Sequence, residues 1–96
     1  IIIYVPNTFT PDGDELNNVF LPIISGNIDL YSYTMNIYNR WGEMLFTTHN
    51  LNVGWDGIHH ISFRPVQDGV YTWEIIFRKK SNDEKIKQHG TVTVIR

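Results

Sequence analysis

The residues whose types and spacing are best suited to chemistry lie in a loop over residues 10–18. Oxygen-bearing side chains recur there at Asp12, Asp14, Asn17 and Asn18, around a glycine that lets the chain turn sharply. Calcium binds about six to eight oxygens from carboxylates, amides and backbone carbonyls, and an Asp-x-Asp pair begins many calcium loops. Asp and Asn also satisfy the backbone of ordinary turns. The loop therefore predicts either a calcium site, the one cofactor that the sequence suggests, or a simple turn.

Histidine and serine, which often carry acid–base and nucleophilic catalysis, form no recognisable constellation. If residues 58–63 are extended, His59 and His60 point to opposite faces of a strand and cannot readily share one metal ion. No serine lies in a nucleophile elbow, and no glycine-rich phosphate loop joins a strand to a helix. The chain has no cysteine, which excludes thiol catalysis and thiolate metal sites. The sequence predicts no catalytic residues and a protein that is not an enzyme.

Length and composition predict one folded domain over residues 1–96. The chain is 42% hydrophobic and 14% aromatic, which is enough to build a packed core. A net charge of −2 leaves no basic surface for nucleic acid or an anionic membrane, and neither partner is expected. No apolar run approaches the roughly 20 residues of a membrane span, so no membrane insertion is expected. Because the sequence opens directly in a strand-like run, we expect a domain excised from a longer chain.

The elements that must position any site are strands, and the clearest turn lies within residues 36–46. Strand-like residues end at Tyr38 and begin again at Met44, and the segment between them contains Gly42, the glycine of a tight reversal. Trp41 lies beside that glycine. Because burying an indole removes about 150–250 Å² from water, we expect Trp41 to fold back and cap the core.

Two other segments alternate as half-buried strands do. In residues 30–39 the side chains expected on the buried face are Tyr31, Tyr33, Met35 and Ile37. In residues 70–79 the side chains that share a face are Tyr71, Trp73, Ile75 and Phe77. The expected partner of the second segment runs over residues 86–95, where Gly90 predicts a bulge or kink.

About seven short strands with turns between them, and no helical periodicity, predict an all-β fold. Pro65, Asp68, Gly69 and Tyr71 resemble a tyrosine corner, in which a tyrosine at the start of a strand bonds back across the preceding loop. This pattern favours a sandwich over a small barrel. We therefore expect an immunoglobulin-like antiparallel β-sandwich. Its structural aromatic residues are expected to be Trp41, Trp55, Tyr71 and Trp73.

The aromatic residues also suggest a different function. Three tryptophans and five tyrosines are typical of carbohydrate recognition, since flat rings stack on sugar rings. Each tryptophan, however, lies beside apolar alternation or a turn glycine, where packing in the core is the commoner outcome. An adhesive or carbohydrate-binding module of a surface protein is therefore the alternative function.

Five motifs stand out along the chain: VPNTFTPDGD at residues 5–14, YNRWGE at 38–43, WDG at 55–57, DGVY at 68–71 and GTVTVIR at 90–96. Together they resemble the gliding motility-associated C-terminal domain, the type B sorting domain of the Bacteroidota type IX secretion system. The resemblance covers residues 4 to 96, and the NRWG and WDG motifs are its most specific parts. The family's acidic loop is commonly closer to PNGDGxND. Glu15 and Asn18 depart from that pattern, so the resemblance adds little support for calcium.

The resemblance implies a C-terminal sorting domain at the end of a larger exported protein. The implied partners are outer-membrane components of the type IX secretion machinery and cargo domains fused at the N-terminal side. The cargo would pass through the periplasm and across the outer membrane, to be secreted or held at the cell surface.

The surface that the machinery reads is expected on loops and edge strands. Arg40 and Glu43 flank the central bend, the loop over residues 12–18 is a second candidate, and Val94 and Arg96 belong to a terminal strand that is expected to be exposed. Such a strand would add to a partner's sheet, which is a general mode of recognition. On this hypothesis, deletion of residues 92–96 abolishes export.

Overall fold

The computed structural model describes residues 2–11 and 18–96, and in those ranges the chain forms seven β-strands and no helix. The strands are β1 (Ile2–Tyr4), β2 (Thr8–Phe9), β3 (Ile23–Ser25), β4 (Ile28–Tyr38), β5 (Met44–Thr48), β6 (Gly69–Lys79) and β7 (Lys85–Val94). The all-β prediction is confirmed. A search of the same residues for a helix long and apolar enough to cross a membrane found none.

The strands form two sheets, neither of which closes on itself. β1 and β3 make an antiparallel ribbon, and the larger sheet has the order β2-β7-β6-β4-β5. The two hairpins predicted from alternation and turn residues, β4–β5 and β6–β7, are present and antiparallel. The short strand β2 pairs with β7 in parallel, which departs from the wholly antiparallel sandwich that the sequence predicts.

The core lies on one face of the larger sheet. Its centre consists of alternating residues of the long strands, namely Tyr33, Met35, Ile37, Trp73, Ile75, Phe77, Val92 and Val94. Loop aromatics cover that layer: Trp55 is fully buried, and its ring centroid lies 5.4 Å from both Phe9 and Tyr71. The β1–β3 ribbon packs Ile3 and Ile24 against the same core. Residues from all parts of the described chain therefore share one hydrophobic interior.

The alternation in β4 is interrupted, and the prediction for Tyr31 is wrong. Its side chain is 100% exposed because the register between β4 and β6 shifts between Asp29 and Thr34. The Ser32 hydroxyl fixes this irregularity, donating to the carbonyl of Asp29 at 2.7 Å and accepting the backbone N–H of Arg78 at 2.8 Å. A bulge of this kind moves a side chain to the other face of a strand.

Gly90 does not form a bulge. It lies in regular register opposite Trp73. A Cβ atom at Gly90 would lie 2.7 Å from Cζ2 of the Trp73 ring, closer than two carbon atoms can approach. The indole therefore occupies the space that a side chain at position 90 would need, and this close packing explains the glycine.

Candidate interaction surface

The central bend is closed by the side chain of Asn39. Its Oδ1 accepts the backbone N–H groups of Trp41 at 3.0 Å and Glu43 at 2.9 Å, and its Nδ2 donates to Oε1 of Glu43 at 2.9 Å. Backbone hydrogen bonds join Asn39 to Gly42 and Glu43 as well. Gly42 has φ of +82°, a value that glycine adopts without strain. The bend is therefore a preformed turn held by its own polar groups.

Trp41 does not cap the core, so that prediction is wrong. Its side chain is 77% exposed, and the guanidinium carbon of Arg40 lies 4.6 Å from the centroid of the indole. The reason is local: the side chain of Asn39 already closes the turn through its hydrogen bonds. Burial of the indole is therefore not required to form the hairpin.

A cleft of about 160 Å³ lies beside the bend. Its lining residues come from the bend and from the start of β6, and they are Asn39, Arg40, Trp41, Gln67, Asp68, Gly69, Val70 and Tyr71. Val70 is 58% exposed. Tyr71 donates its hydroxyl to the carbonyl of Gln67 at 2.6 Å, the bond expected of a tyrosine corner. Burial raises the pKa of Tyr71, so the phenol stays neutral and keeps this donor at ordinary pH.

The expectation of an exposed terminal strand at Val94 is wrong. Val94 is 1% exposed and is paired on both sides, with Phe9 of β2 and Gly69 of β6. The parallel strand β2 covers the outer edge of β7 at this position. A partner therefore cannot reach the Val94 side chain, and it cannot extend the sheet beside this residue while β2 is in place.

Arg96 binds to the domain's own loops. Its backbone N–H donates to Oδ2 of Asp68 at 3.1 Å, and its guanidinium donates to the carbonyls of Val66 and, at 3.2 Å, Gly57. Gly57 has φ of +81°, and a Cβ there would lie 3.0 Å from the Arg96 guanidinium. In this position Arg96 ties the chain after β7 to two loops.

Glu43 contacts Asn39 and His59. One of its carboxylate oxygens accepts the hydrogen bond from Asn39, and the other lies 3.7 Å from Nε2 of His59. His59 and His60 lie in a turn rather than a strand, with ring centroids 6.0 Å apart. Arg40 and Glu43 thus share one bend but contact different partners.

The proposed calcium loop lies almost wholly outside the described residues. Three of its expected ligands, Asp12, Asp14 and Asn17, are among the residues that the structure does not describe. Of the four expected ligands only Asn18 is described, and its buried Oδ1 has no hydrogen-bond partner in the described part of the chain. In residues 2–11 and 18–96, no three His, Asp or Glu side chains converge as a metal ion would need.

The sequence places Arg40 and Glu43 at one bend, but it does not reveal the neighbouring residues from β6. Val70 and Tyr71 reach the bend through the β4–β6 pairing, in which Tyr38 lies opposite Thr72. They lie more than 25 positions from the bend in sequence, so local patterns carry no signal of the contact. The pair Trp41 and Val70, both large apolar residues with high exposure, is visible only in three dimensions.

The comparison with protein families gives one match that spans nearly the whole chain. Residues 3–94 match the family model described as CHU_C Type IX secretion signal domain. A search of curated proteins found no match. The matched range contains strands β2 to β7, all of β1 except its first residue, the bend and the cleft beside it. The chain therefore belongs to the CHU_C family of type IX secretion signal domains, C-terminal sorting domains that target proteins for export and catalyse no reaction.

Proposed function

We propose that outer-membrane components of the type IX machinery read this domain and route the protein that carries it to the cell surface or the medium. The family match over residues 3–94 is the observation that carries the proposal. A signal for export across the outer membrane must be recognised by the secretion machinery.

We further propose that residues 1–96 act as one unit attached to cargo domains on their N-terminal side. Supporting this, residues from β1 to β7 and from the intervening loops pack in one hydrophobic cluster. A unit with its own core folds without contacts from a cargo. The same signal can then serve whatever domain precedes it.

Recognition is proposed to use the end of the sheet that carries Arg40 and Glu43. Both side chains are exposed, and the Asn39 turn holds their backbone in a fixed position. Arg96 is proposed to act indirectly, by holding the loops at the same end in place. Deletion of residues 92–96 is not a clean test of contact, because Val92 and Val94 are core residues and the truncated domain would unfold.

An immunoglobulin-like relationship remains our proposal for the fold. The hydrogen bond from Tyr71 to Gln67 and the packing of a small ribbon against a larger sheet support it. The parallel β2–β7 pair marks where this domain differs from that architecture.

The test of the function is export of the full-length protein from a bacterium that has the type IX system. Removal of residues 1–96 should leave the cargo in the periplasm, and a strain without the secretion system should show the same retention of the intact protein. Equal surface delivery with and without the domain would overturn the proposal. Saturable glycan binding by the intact protein, together with export that ignores this domain, would favour the adhesive alternative.

Calcium binding by Asp12, Asp14, Asn17 and Asn18 is a separate hypothesis. An ion that binds only the folded state raises the apparent stability of the domain. Excess chelator should therefore lower the melting temperature, and added calcium should restore it. A melting temperature that does not change in excess chelator would contradict calcium binding by this loop.

A further inference from the structure

The indole of Trp41 is the largest apolar group exposed at the bend. Two of the three tryptophans, Trp55 and Trp73, are 0% and 7% exposed, whereas Trp41 is 77% exposed. Both buried indoles donate their ring N–H to a backbone carbonyl. The ring N–H of Trp41 has no acceptor among the residues that the structure describes. An exposed indole with a free donor suits a contact with a second molecule.

The backbone beneath the indole is already in place. The backbone N–H of Trp41 is bound by Oδ1 of Asn39, and the turn is closed by further hydrogen bonds from Gly42 and Glu43. A partner that binds Trp41 therefore does not have to order the loop that presents it. Preorganisation of this kind lowers the entropic cost of association.

Arg40 adds a charge to the same surface. Its guanidinium stacks on one face of the indole, and it forms no ion pair with a carboxylate in residues 2–11 or 18–96. Nearby carboxylates are engaged elsewhere: Asp68 with Arg96, and Glu43 with Asn39 and His59. The unpaired cation beside an exposed indole fits a surface that combines an apolar pocket with a carboxylate. Trp and Arg are also the residue types most enriched where interfaces bind strongly.

Val70 extends the apolar surface from the bend onto β6. It is 58% exposed and lines the same cleft as Trp41. We call Arg40, Trp41 and Val70 the bend patch. Its members come from two hairpins that pair in the sheet, so they are held at a fixed separation.

We propose that the bend patch is the docking surface for a protein component of the secretion machinery, with Trp41 inserted into an apolar pocket and Arg40 paired with a carboxylate at its rim. The proposal rests on the proposed function and specifies which surface serves it. Arg40 covers one face of the indole, so stacking on a sugar, which would use an open face, is the less favoured use of the ring.

The test compares Trp41→Ala with Tyr31→Ala in the full-length exported protein. Tyr31 is a matched control, because it is a fully exposed aromatic residue near the opposite end of β4. We expect Trp41→Ala to lower surface delivery about tenfold, with the protein accumulating in the periplasm, and Tyr31→Ala to change it less than about twofold. Resistance of the domain to limited proteolysis should stay within about twofold of the parent in both variants, which separates loss of docking from loss of folding.

Arg40 supplies a second, independent comparison. Arg40→Glu should reduce surface delivery more than Arg40→Lys. A carboxylate in the partner repels the negative charge that the first variant carries at position 40 and still attracts the positive charge that the second retains. Normal export of Trp41→Ala, or equal export of the two Arg40 variants, would overturn the inference. If removal of the whole domain abolishes export while Trp41→Ala does not, only this inference fails and the proposed function stands. If the protein binds glycans through Trp41 while export of Trp41→Ala is unchanged, the indole is a sugar-binding residue, and this inference is also overturned.

Discussion

Trp73 lies in the β6–β7 hairpin and Trp41 at the bend of the β4–β5 hairpin. Trp73 is 7% exposed, packs directly over Gly90 and donates its ring N–H to the carbonyl of Thr91 at 3.3 Å. Trp41 is 77% exposed and contacts the guanidinium of Arg40. Both lie in hairpins of one sheet, yet Trp73 is part of the core and Trp41 lies on the surface. The difference arises from position: Trp73 lies within β6 on the core face, opposite Gly90, whereas Trp41 lies in a turn that Asn39 already closes.

Replacement of each tryptophan by alanine gives the largest expected contrast. Trp73→Ala removes a buried ring from the core and should lower the free energy of unfolding by about 3–5 kcal/mol. Trp41→Ala removes an exposed ring and should change it by less than about 0.5 kcal/mol. Urea denaturation of the 96-residue chain measures both values. Equal losses would show that Trp41 supports the fold and would break the comparison.

Gly90→Ala tests whether the ring of Trp73 packs directly against position 90. The added Cβ would meet the indole, so we expect a loss of about 1–3 kcal/mol in the free energy of unfolding. Gly69→Ala measures backbone strain without a clash, because no atom lies within 4 Å of the added Cβ while φ of +154° disfavours a side chain; its loss should not depend on Trp73. In the double variant Gly90→Ala/Trp73→Leu, the effect of the alanine should shrink because the clashing ring is gone. Additive losses in the double variant would contradict direct packing.

The sequence predicts local features of this fold well. Alternation and turn residues locate the β4–β5 and β6–β7 hairpins, and the DGVY motif locates the bond from Tyr71 to Gln67. Each of these depends on residues that are close in sequence. The family resemblance, which rests on such motifs, is confirmed over residues 3–94.

Most of the wrong predictions concern residues whose surroundings are set by segments that are distant in the sequence. Val94 faces the core, and β2, some 85 positions earlier in the chain, covers the edge of the strand beside it. Gly90 is required by a ring on another strand, and Tyr31 turns outward because the register with β6 shifts. Trp41 is the exception, because its exposure follows from a local hydrogen bond to Asn39 that a burial argument ignores. A tryptophan two residues after a turn asparagine therefore need not be a core residue.

Asn39→Ala tests whether the bend is held by its polar groups. The variant loses three side-chain hydrogen bonds and should lower the free energy of unfolding by about 1–2 kcal/mol. Asn82→Ala is the control in the other hairpin, where the asparagine accepts one backbone N–H, from Glu84 at 3.0 Å, and a smaller loss is expected. Urea denaturation measures both. If Asn39→Ala costs no more than Asn82→Ala, the bend does not depend on this side chain.

The smallest expected effect concerns Glu74, the neighbour of Trp73 that points to the polar face of the sheet. Its carboxylate accepts hydrogen bonds from Asn36 at 3.1 Å and Tyr38 at 3.3 Å, and lies 3.3 Å from the ammonium of Lys87. The hydrogen bond from Asn36, followed by that ammonium, holds the pKa of Glu74 below its ordinary value of 4.5. A carboxylate whose pKa is lowered by folding stabilises the native state above its unfolded pKa, and this contribution disappears as pH falls through the folded pKa.

Glu74→Gln should therefore lower stability at neutral pH by about 0.2–1 kcal/mol, and the difference from the parent should vanish below the folded pKa of Glu74. Melting curves of both proteins between pH 7 and pH 3 measure it. The exposed Glu84, which pairs with Lys79 at 3.4 Å, provides the control Glu84→Gln, for which a smaller loss of stability at neutral pH is expected. A difference between Glu74→Gln and the parent that is constant with pH would mean that shape, not charge, matters at position 74. In that case the polar face of β6 would stabilise the β6–β7 hairpin by packing, as Trp73 does on the opposite face.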